Sequence, residues 1–235
     1  MELKICSSTI DEIEKNKYLI CVGISVAIKP MSEETVESYL NWVLDHSQGR
    51  VQILIADEIA RYNNLVFSNF TIPGALSRAK RDGDKHYLFF ERILSKFDSE
   101  KRSQFNIIRW NNIISPHYMA ILNEVKIEFE KNEEFRNEVL SLQENYIKSR
   151  GRIATEPKKH ILVNYLLEEL PVLLKGIHVD GNHYSFIFHP TYQHSVVFDF
   201  VSDIQNRKKY IDLSNRIQFS NTIVVDSLFL EPAQV

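Results

Sequence analysis

Two short runs, Tyr18-Leu-Ile-Cys-Val-Gly-Ile24 and Val51-Gln-Ile-Leu-Ile55, limit what this chain can fold into more than any other feature. Each is dominated by aliphatic residues and lacks the strict apolar–polar alternation of a half-exposed strand. They therefore read as strands buried on both faces, the kind found in parallel sheets. A helical stretch follows each. Ser32 to His46 opens on Ser32-Glu33-Glu34, where acids suit the positive end of the helix dipole. A second helix is expected from about Gly74 to Phe97, with an irregularity at Asp82-Gly83-Asp84. Phe105 to Trp110 reads as a third strand.

Beyond it, Ser115-Pro-His-Tyr118 opens a long helical region to about Lys148, with Ile121, Val125, Phe129, Phe135, Val139 and Leu142 as its apolar stripe. Lys158 to Leu174 is another helix. After Gly176 the pattern changes: Tyr184 to Phe188, Val196 to Val201 and Thr222 to Leu230 look like strands, with a short polar helix near Ser202 to Tyr210. Strands alternating with helices argue for an α/β chain, a Rossmann-like three-layer domain with a largely parallel central sheet. A length of 235 residues, 44% of them hydrophobic, suits one such domain over residues 1–235.

Several function classes are set aside on composition. Neither G-x-x-x-x-G-K-[ST] nor G-x-G-x-x-G occurs, so a phosphate-cradling loop is not indicated. Met1-Glu2-Leu3-Lys4 leads into an acidic, amphipathic segment, unlike a secretory signal, so the chain is expected to be unprocessed. The longest apolar run, Tyr18 to Ile28, is about half of what a bilayer needs, and no membrane segment is expected. Cys6 and Cys21 are the only cysteines, too few for a disulfide framework or a zinc site; no metal is expected, and a reducing cytoplasm fits.

Three groups of residues could carry chemistry. Ser25 ends the first strand, where open α/β sheets place their ligand crevice, and is a candidate nucleophile or a strand-end cap. Its surroundings, Gly23-Ile24-Ser25-Val26-Ala27, approach a hydrolase nucleophile elbow but have Ala27 where the second glycine belongs. In Asn164-Tyr165-Leu166-Leu167-Glu168-Glu169-Leu170-Pro171, Tyr165 and Glu169 lie one helical turn apart on one face. Together they could bind an ammonium group or pass protons; a solvated Glu beside a half-buried Tyr is the plainer alternative. Third, the formal charge of −3 hides a window from Leu76 to Arg102 that is +3, leaving −6 elsewhere. Within it Arg78, Arg81, Lys85, Arg92 and Lys96 are separated by 3, 4, 7 and 4 residues and fall on one helical stripe. Such a ridge suits the phosphates of a folded RNA, or is simply the solvated face of an amphipathic helix.

Taken in order, these features resemble the cyclodipeptide synthases. The resemblance rests on Val22-Gly-Ile-Ser25, on Ile55-Ala-Asp-Glu58 followed by the basic helix, on Ser115-Pro-His-Tyr118 with Phe135-Arg136, and on Asn164-Tyr165 through Glu169 and Pro171. It implies a fold like the catalytic domain of class I aminoacyl-tRNA synthetases without the ATP-binding signatures, and no cofactor. Two aminoacyl-tRNAs are the implied substrates, joined by a ping-pong route through aminoacyl- and dipeptidyl-enzyme on Ser25. Tyr165 and Glu169 match the positions that hold the substrate amine, Glu169 being the implied proton acceptor, while Glu168 should point elsewhere. Twenty residues beyond Glu169, where the family commonly has a tyrosine used in cyclisation, stands His189, followed by Pro190. Imidazole could shuttle that proton or replace the phenol structurally. Ile28 fits the subfamily that lacks an asparagine near the nucleophile. Cys21, Gly23, Tyr118, Val172 and Ile187 would line the first aminoacyl pocket, and the basic stripe would meet tRNA. The chain is expected to be a monomer or weak dimer.

Two other readings compete. A serine esterase or acyltransferase would need a histidine base near Ser25, and His178, His183 and His194 are available without a triad pattern. A non-catalytic tRNA-binding module would need only the ridge.

Overall fold

A computed structural model of the chain describes residues 2–5, 9–27, 31–191, 197–217 and 222–228. In chain order the elements are β1 (Glu2–Ile5), α1 (Ile10–Lys15), β2 (Ile20–Ser25), α2 (Glu33–Asp45), β3 (Val51–Ala56), α3 (Arg61–Phe67), α4 (Ile72–Leu94), α5 (Ser99–Ser103) and β4 (Phe105–Arg109). There follow α6 (Pro116–Lys131), α7 (Glu133–Ser149), α8 (Glu156–Lys175), β5 (Ile177–Val179), β6 (Asn182–Tyr184), β7 (Phe186–Thr191), α9 (Val197–Gln205), α10 (Ile211–Ile217) and β8 (Ile223–Leu228). The main sheet has the order β1-β8-β7-β2-β3-β4. Only β1 runs antiparallel, against β8; the other pairings are parallel.

The order reverses at β2. From there the chain moves outward through β3 to β4, then returns to the other side of β2 with β7 and β8. At such a reversal open α/β sheets leave a crevice outside the carboxyl ends of the strands, here β2 and β7. Each sheet face buries a core. Ile20, Val22 and Ile24 join Phe186, Phe188, Tyr39, Leu40 and Val43 on the side of α2. Cys21 and Ile187 join Leu166, Leu170 and Val172 of α8 on the other. The expected three-layer Rossmann-like architecture is the one found, and no described helix is long and apolar enough to cross a membrane.

Several expected boundaries shift for physical reasons. The long region from Ser115 to Lys148 is two helices joined at Asn132, whose side chain accepts from the Phe135 N–H and starts α7. The acidic N-terminal segment contains β1 and α1, with Thr9 and Glu12 forming a capping box. Val197 to Val201, expected as a strand, is the first part of α9: Phe198, Val201 and Ile204 are buried at helical spacing while Asp199 faces outward. Position 196, the other end of that expected strand, lies outside the described residues. The hairpin β5–β6 was not anticipated, although its turn is Asp180-Gly181 with φ of 50° and 77°, as a tight primed turn requires.

The irregularity expected at Gly83 is absent, because α4 is one helix. Gly83 serves packing. Arg109 Nε donates to Asp57 Oδ2 at 2.8 Å, its Nη1 to Asp84 Oδ1 at 2.8 Å, and Asp57 is only 2% exposed. A Cβ at position 83 would stand 2.6 Å from Arg109 Nη2 and 2.7 Å from Asp57 Cβ. Replacing a helical glycine by alanine ordinarily stabilises by about 1 kcal/mol. Here we expect the opposite sign: Gly83→Ala should lose about 1–3 kcal/mol in urea unfolding, because the methyl group forces apart a buried ion pair. An unchanged or raised midpoint would show that α4 can shift freely.

Candidate active site

Side chains alternate along a strand, so Cys21, Gly23 and Ser25 share the face of β2 opposite Ile20, Val22 and Ile24. The register Cys21↔Ile187 and Val22↔Phe188 carries Ile187 and His189 of β7 to that same face. His189 falls beside Gly23, whose missing side chain leaves room: a Cβ there would lie 3.9 Å from His189 Cδ2. Helix α8 covers this surface. Its residues Leu166, Leu170 and Val172 bury themselves with Cys21 and Ile187, and Tyr165 packs against the same cluster. Each fully buried aliphatic side chain contributes about 1.5–3 kcal/mol, which holds the helix against the sheet.

Tyr165 and Glu169 thereby meet Ser25. The Ser25 and Tyr165 hydroxyls share a hydrogen bond, and the Ala27 N–H donates to Ser25 Oγ at 3.4 Å. Burial, then the nearby Glu169 and Tyr146, hold the Tyr165 phenol well above its ordinary range, so it stays protonated at neutral pH. Burial also raises the Glu169 carboxyl, and His189 partly offsets this through its charge. Both side chains keep part of their surface open, as does Ser25. A carboxyl shifted toward neutrality, a phenol and a strand-end hydroxyl in one cleft can take up an amine and move its proton. Cys21, by contrast, is fully buried and its thiol is pushed far up by desolvation, so it is wall and not nucleophile.

The neighbouring carboxylate faces away. Arg61 Nη2 donates to Glu168 Oε1 and Oε2 at 2.7 and 2.9 Å, and the Tyr62 hydroxyl donates to Oε1 at 2.7 Å. Tyr118, expected in the pocket wall, is buried, and its hydroxyl donates to the Glu168 carbonyl at 2.7 Å. Its neighbour, the Leu167 carbonyl, is the one that Pro171, lacking an N–H, leaves without a helical donor. Arg61, Tyr62 and Tyr118 therefore clamp α8 from behind. The first two have no signature in the sequence, and neither does Tyr146, apart from its i,i+4 spacing to Arg150.

The sequence model for cyclodipeptide synthases matches residues 3–213 of the chain. The chain belongs to the cyclodipeptide synthase family. A synthase of that family from Bacillus thermoamylovorans has a TM-score of 0.73 and 22% identity, with 97% of this chain and 96% of that one covered. A Mycobacterium tuberculosis protein whose structure relates cyclodipeptide synthetases to type I tRNA synthetases gives 0.71 and 13%, over 95% and 91%. A synthase from Candidatus Glomeribacter gigasporarum, solved bound to Phe-tRNAPhe, gives 0.60 and 17%, over 96% and 93%. At these identities the likeness is one of fold. No curated protein matches the chain.

Against this family background the basic stripe is less cationic than its sequence. Arg78 and Lys85 both pair with Asp82, at 2.7 and 2.8 Å. Arg92 and Lys96 reach Glu33 of α2 at 2.5 and 2.6 Å, and Lys96 also reaches Glu37. Arg81 is exposed and has no ion pair among the described residues. The histidines of the esterase reading are engaged elsewhere: His178 and His183 stack at 4.3 Å, His117 abuts His178 at 4.5 Å, and His183 Nε2 donates to the Lys175 carbonyl at 2.6 Å. Neither His178 nor His183 bonds Ser25; His194, like Ile28 and Cys6, lies outside the described residues.

Burial of Glu169 has a measurable consequence. A carboxyl raised in the folded state adds stability that is complete below the ordinary carboxylate pKa and is lost as pH rises through the folded value. Glu169→Gln mimics the neutral form and escapes that loss. Its melting temperature should exceed that of the parent at pH 8, with the difference shrinking toward zero near pH 4. A difference independent of pH would show that Glu169 is not desolvated.

Proposed function

We propose that the chain makes cyclic dipeptides from two aminoacyl-tRNAs through covalent intermediates on Ser25. The observation that carries this is the contact of the Ser25 hydroxyl with Tyr165, one helical turn from the buried Glu169. Oγ attacks the carbonyl carbon of the first aminoacyl ester, and the terminal ribose hydroxyl of the tRNA leaves with the proton. One ester replaces another, so no ATP is required. The amine of the stored residue then attacks the second aminoacyl ester, a second tRNA leaves, and a dipeptide remains on Ser25. Finally its free amine attacks the serine ester, which closes the six-membered ring and restores the hydroxyl.

Each amine must lose a proton as it attacks. Glu169 is our acceptor, because desolvation brings its carboxyl nearer the working pH than an ordinary carboxylate. Tyr165, held as a neutral phenol, orients Oγ and the α-amine. His189 stands beside Gly23 within electrostatic reach of Glu169, where an imidazole can relay the proton of cyclisation. Cys21, Val172 and Ile187 form the apolar floor under the first residue, with Tyr118 bracing it. Arg78, Arg81, Lys85, Arg92 and Lys96 guide tRNA, Arg81 most directly because its charge is uncompensated. Aminoacyl-tRNA places the work in the cytoplasm, and the described site is complete within one copy of the chain.

Incubation with tRNA carrying a radiolabelled amino acid should label the protein, and Ser25→Ala should lose that label and the cyclic product. Glu169→Gln should still form the labelled enzyme but release product about 10²–10⁴-fold more slowly. Unchanged labelling in Ser25→Ala, or rapid hydrolysis of a simple ester without tRNA, would refute the proposal.

A further inference from the structure

The histidines that stand apart from Ser25 form a cluster of their own. His178 and His183 face each other across the β5–β6 hairpin, their rings stacked with centroids 4.3 Å apart, and the His117 ring at the start of α6 meets His178 edge-on at 4.5 Å. Lys175, the last residue of α8, completes the group: it is buried, and its carbonyl accepts from His183 Nε2 at 2.6 Å. The start of α6, the end of α8 and the hairpin thus meet through four basic side chains. His117 is exposed and the other two histidines are half-buried, so the cluster is open to protons from solvent.

A second proton is hard to place there. His117 lies under the charges of Lys175 and His183, and His178 under those of His183, His117 and Lys175, all of one sign. Desolvation, and then these charges, hold both imidazoles below the ordinary histidine range, and burial lowers the Lys175 ammonium too. Among the described residues nothing packed against the histidines adds an opposing charge. The 110–113 turn beside β5 has no titratable side chain, burial keeps the Tyr118 phenol neutral, the Tyr184 hydroxyl accepts from Gln52, and Asp180, the one acid of the hairpin, sits at its exposed tip. Groups this close titrate as a set. A base held below its ordinary pKa favours the fold in its neutral form: the stability it adds is complete above the ordinary imidazole range and is lost as pH falls through the folded value.

The cluster sits where movement reaches the catalytic groups. The hairpin is the whole connection between α8, which carries Tyr165 and Glu169, and β7, which carries His189. It belongs to no larger sheet, and a two-stranded ribbon alone is marginal, so its place depends on what packs against it. His117 adjoins Tyr118, whose hydroxyl donates to the Glu168 carbonyl at 2.7 Å. A cavity of about 10 Å³, room for a single water, is lined by His117, His178, Tyr118 and Pro171 and joins the histidines to α8. We infer that His117, His178 and His183 are a pH-sensitive latch: neutral, they hold the hairpin and α6 to the end of α8, and the second proton to enter in mildly acid solution parts them, draws Tyr118 off α8 and slows the enzyme. The effect on catalysis rests on the proposed function; the movement does not.

Hydrogen exchange of the full chain, corrected for its intrinsic pH dependence, tests the movement without substrate. Between pH 7.5 and pH 5.5 protection should fall in residues 177–184 and 116–121 and hold in β3. In the double variant His117→Phe, His178→Phe, which keeps the rings but leaves one histidine to protonate, both stretches should stay protected at pH 5.5. Cyclic product formation should fall with pH more steeply in the parent than in this variant, by about tenfold per pH unit, the weight of one proton. Loss of protection in a parent that makes no cyclic product at any pH would sink the proposed function and leave the latch standing. Equal loss in parent and double variant would overturn the latch. So would histidine NMR signals that titrate while the hairpin stays protected, because the rings would then only turn out into solvent. Should the phenylalanines loosen the hairpin already at pH 7.5, the single variant His117→Gln decides: protection at pH 5.5 above the parent's supports the latch, and protection at or below it refutes it.

Discussion

Helix α8 is fastened on two sides, and the position of Glu169 follows from both. On the sheet side, Leu166, Leu170 and Val172 sink into the core beside Cys21 and Ile187. On the outer side, Arg61 and Tyr62 grip the Glu168 carboxylate, and Tyr118 grips its backbone carbonyl. That sets the direction of the adjacent residue: with Glu168 turned outward, Glu169 leaves the helix about 100° further round, toward the cleft. Desolvating a carboxylate is costly, and a helix fastened on both sides resists the tendency to swing the group into water.

Much of this was legible because it follows from chain-local periodicity. Strands buried on both faces announce a parallel sheet; two such strands with helical connections imply a crevice at their carboxyl ends, and Ser25 sits at one of them. The i,i+4 spacing of Tyr165 and Glu169 is likewise a property of one helix. Register is different. That His189 stands beside Gly23 depends on how β7 aligns with β2, which no local pattern encodes. The misread segment from Val197 shows the same limit from the other side: Val-Phe-Asp-Phe-Val satisfies a strand's preferences as well as a helix's, and packing of Phe198, Val201 and Ile204 into the core decided for the helix.

Charge was the least legible property. A stripe of five basic residues on α4 looks like an RNA-binding ridge when α4 is considered alone. Folding brings Glu33 and Glu37 of α2 against Arg92 and Lys96, and those cations become internal ties between two helices. Exposed pairs of this kind add little stability, but they remove the charge from what a polyanion would meet. Among the described residues Arg81 of α4, and Arg150 and Arg152 just beyond α7, have no ion pair. The local excess that the sequence displays and the field that a partner meets are thus different quantities.

The exchange of the family's tyrosine for His189 also acquires a physical setting. Imidazole titrates near neutrality, whereas a phenol buried here would be pushed upward, as Tyr165 is. Burial raises the Glu169 carboxyl, and the charge of His189 partly offsets that shift. In the route we propose, an amine loses a proton while a serine oxygen gains one, and His189 of β7, whose charge acts on Glu169 of α8, is our candidate for the relay. The absence of a side chain at Gly23 leaves the space in which that ring sits.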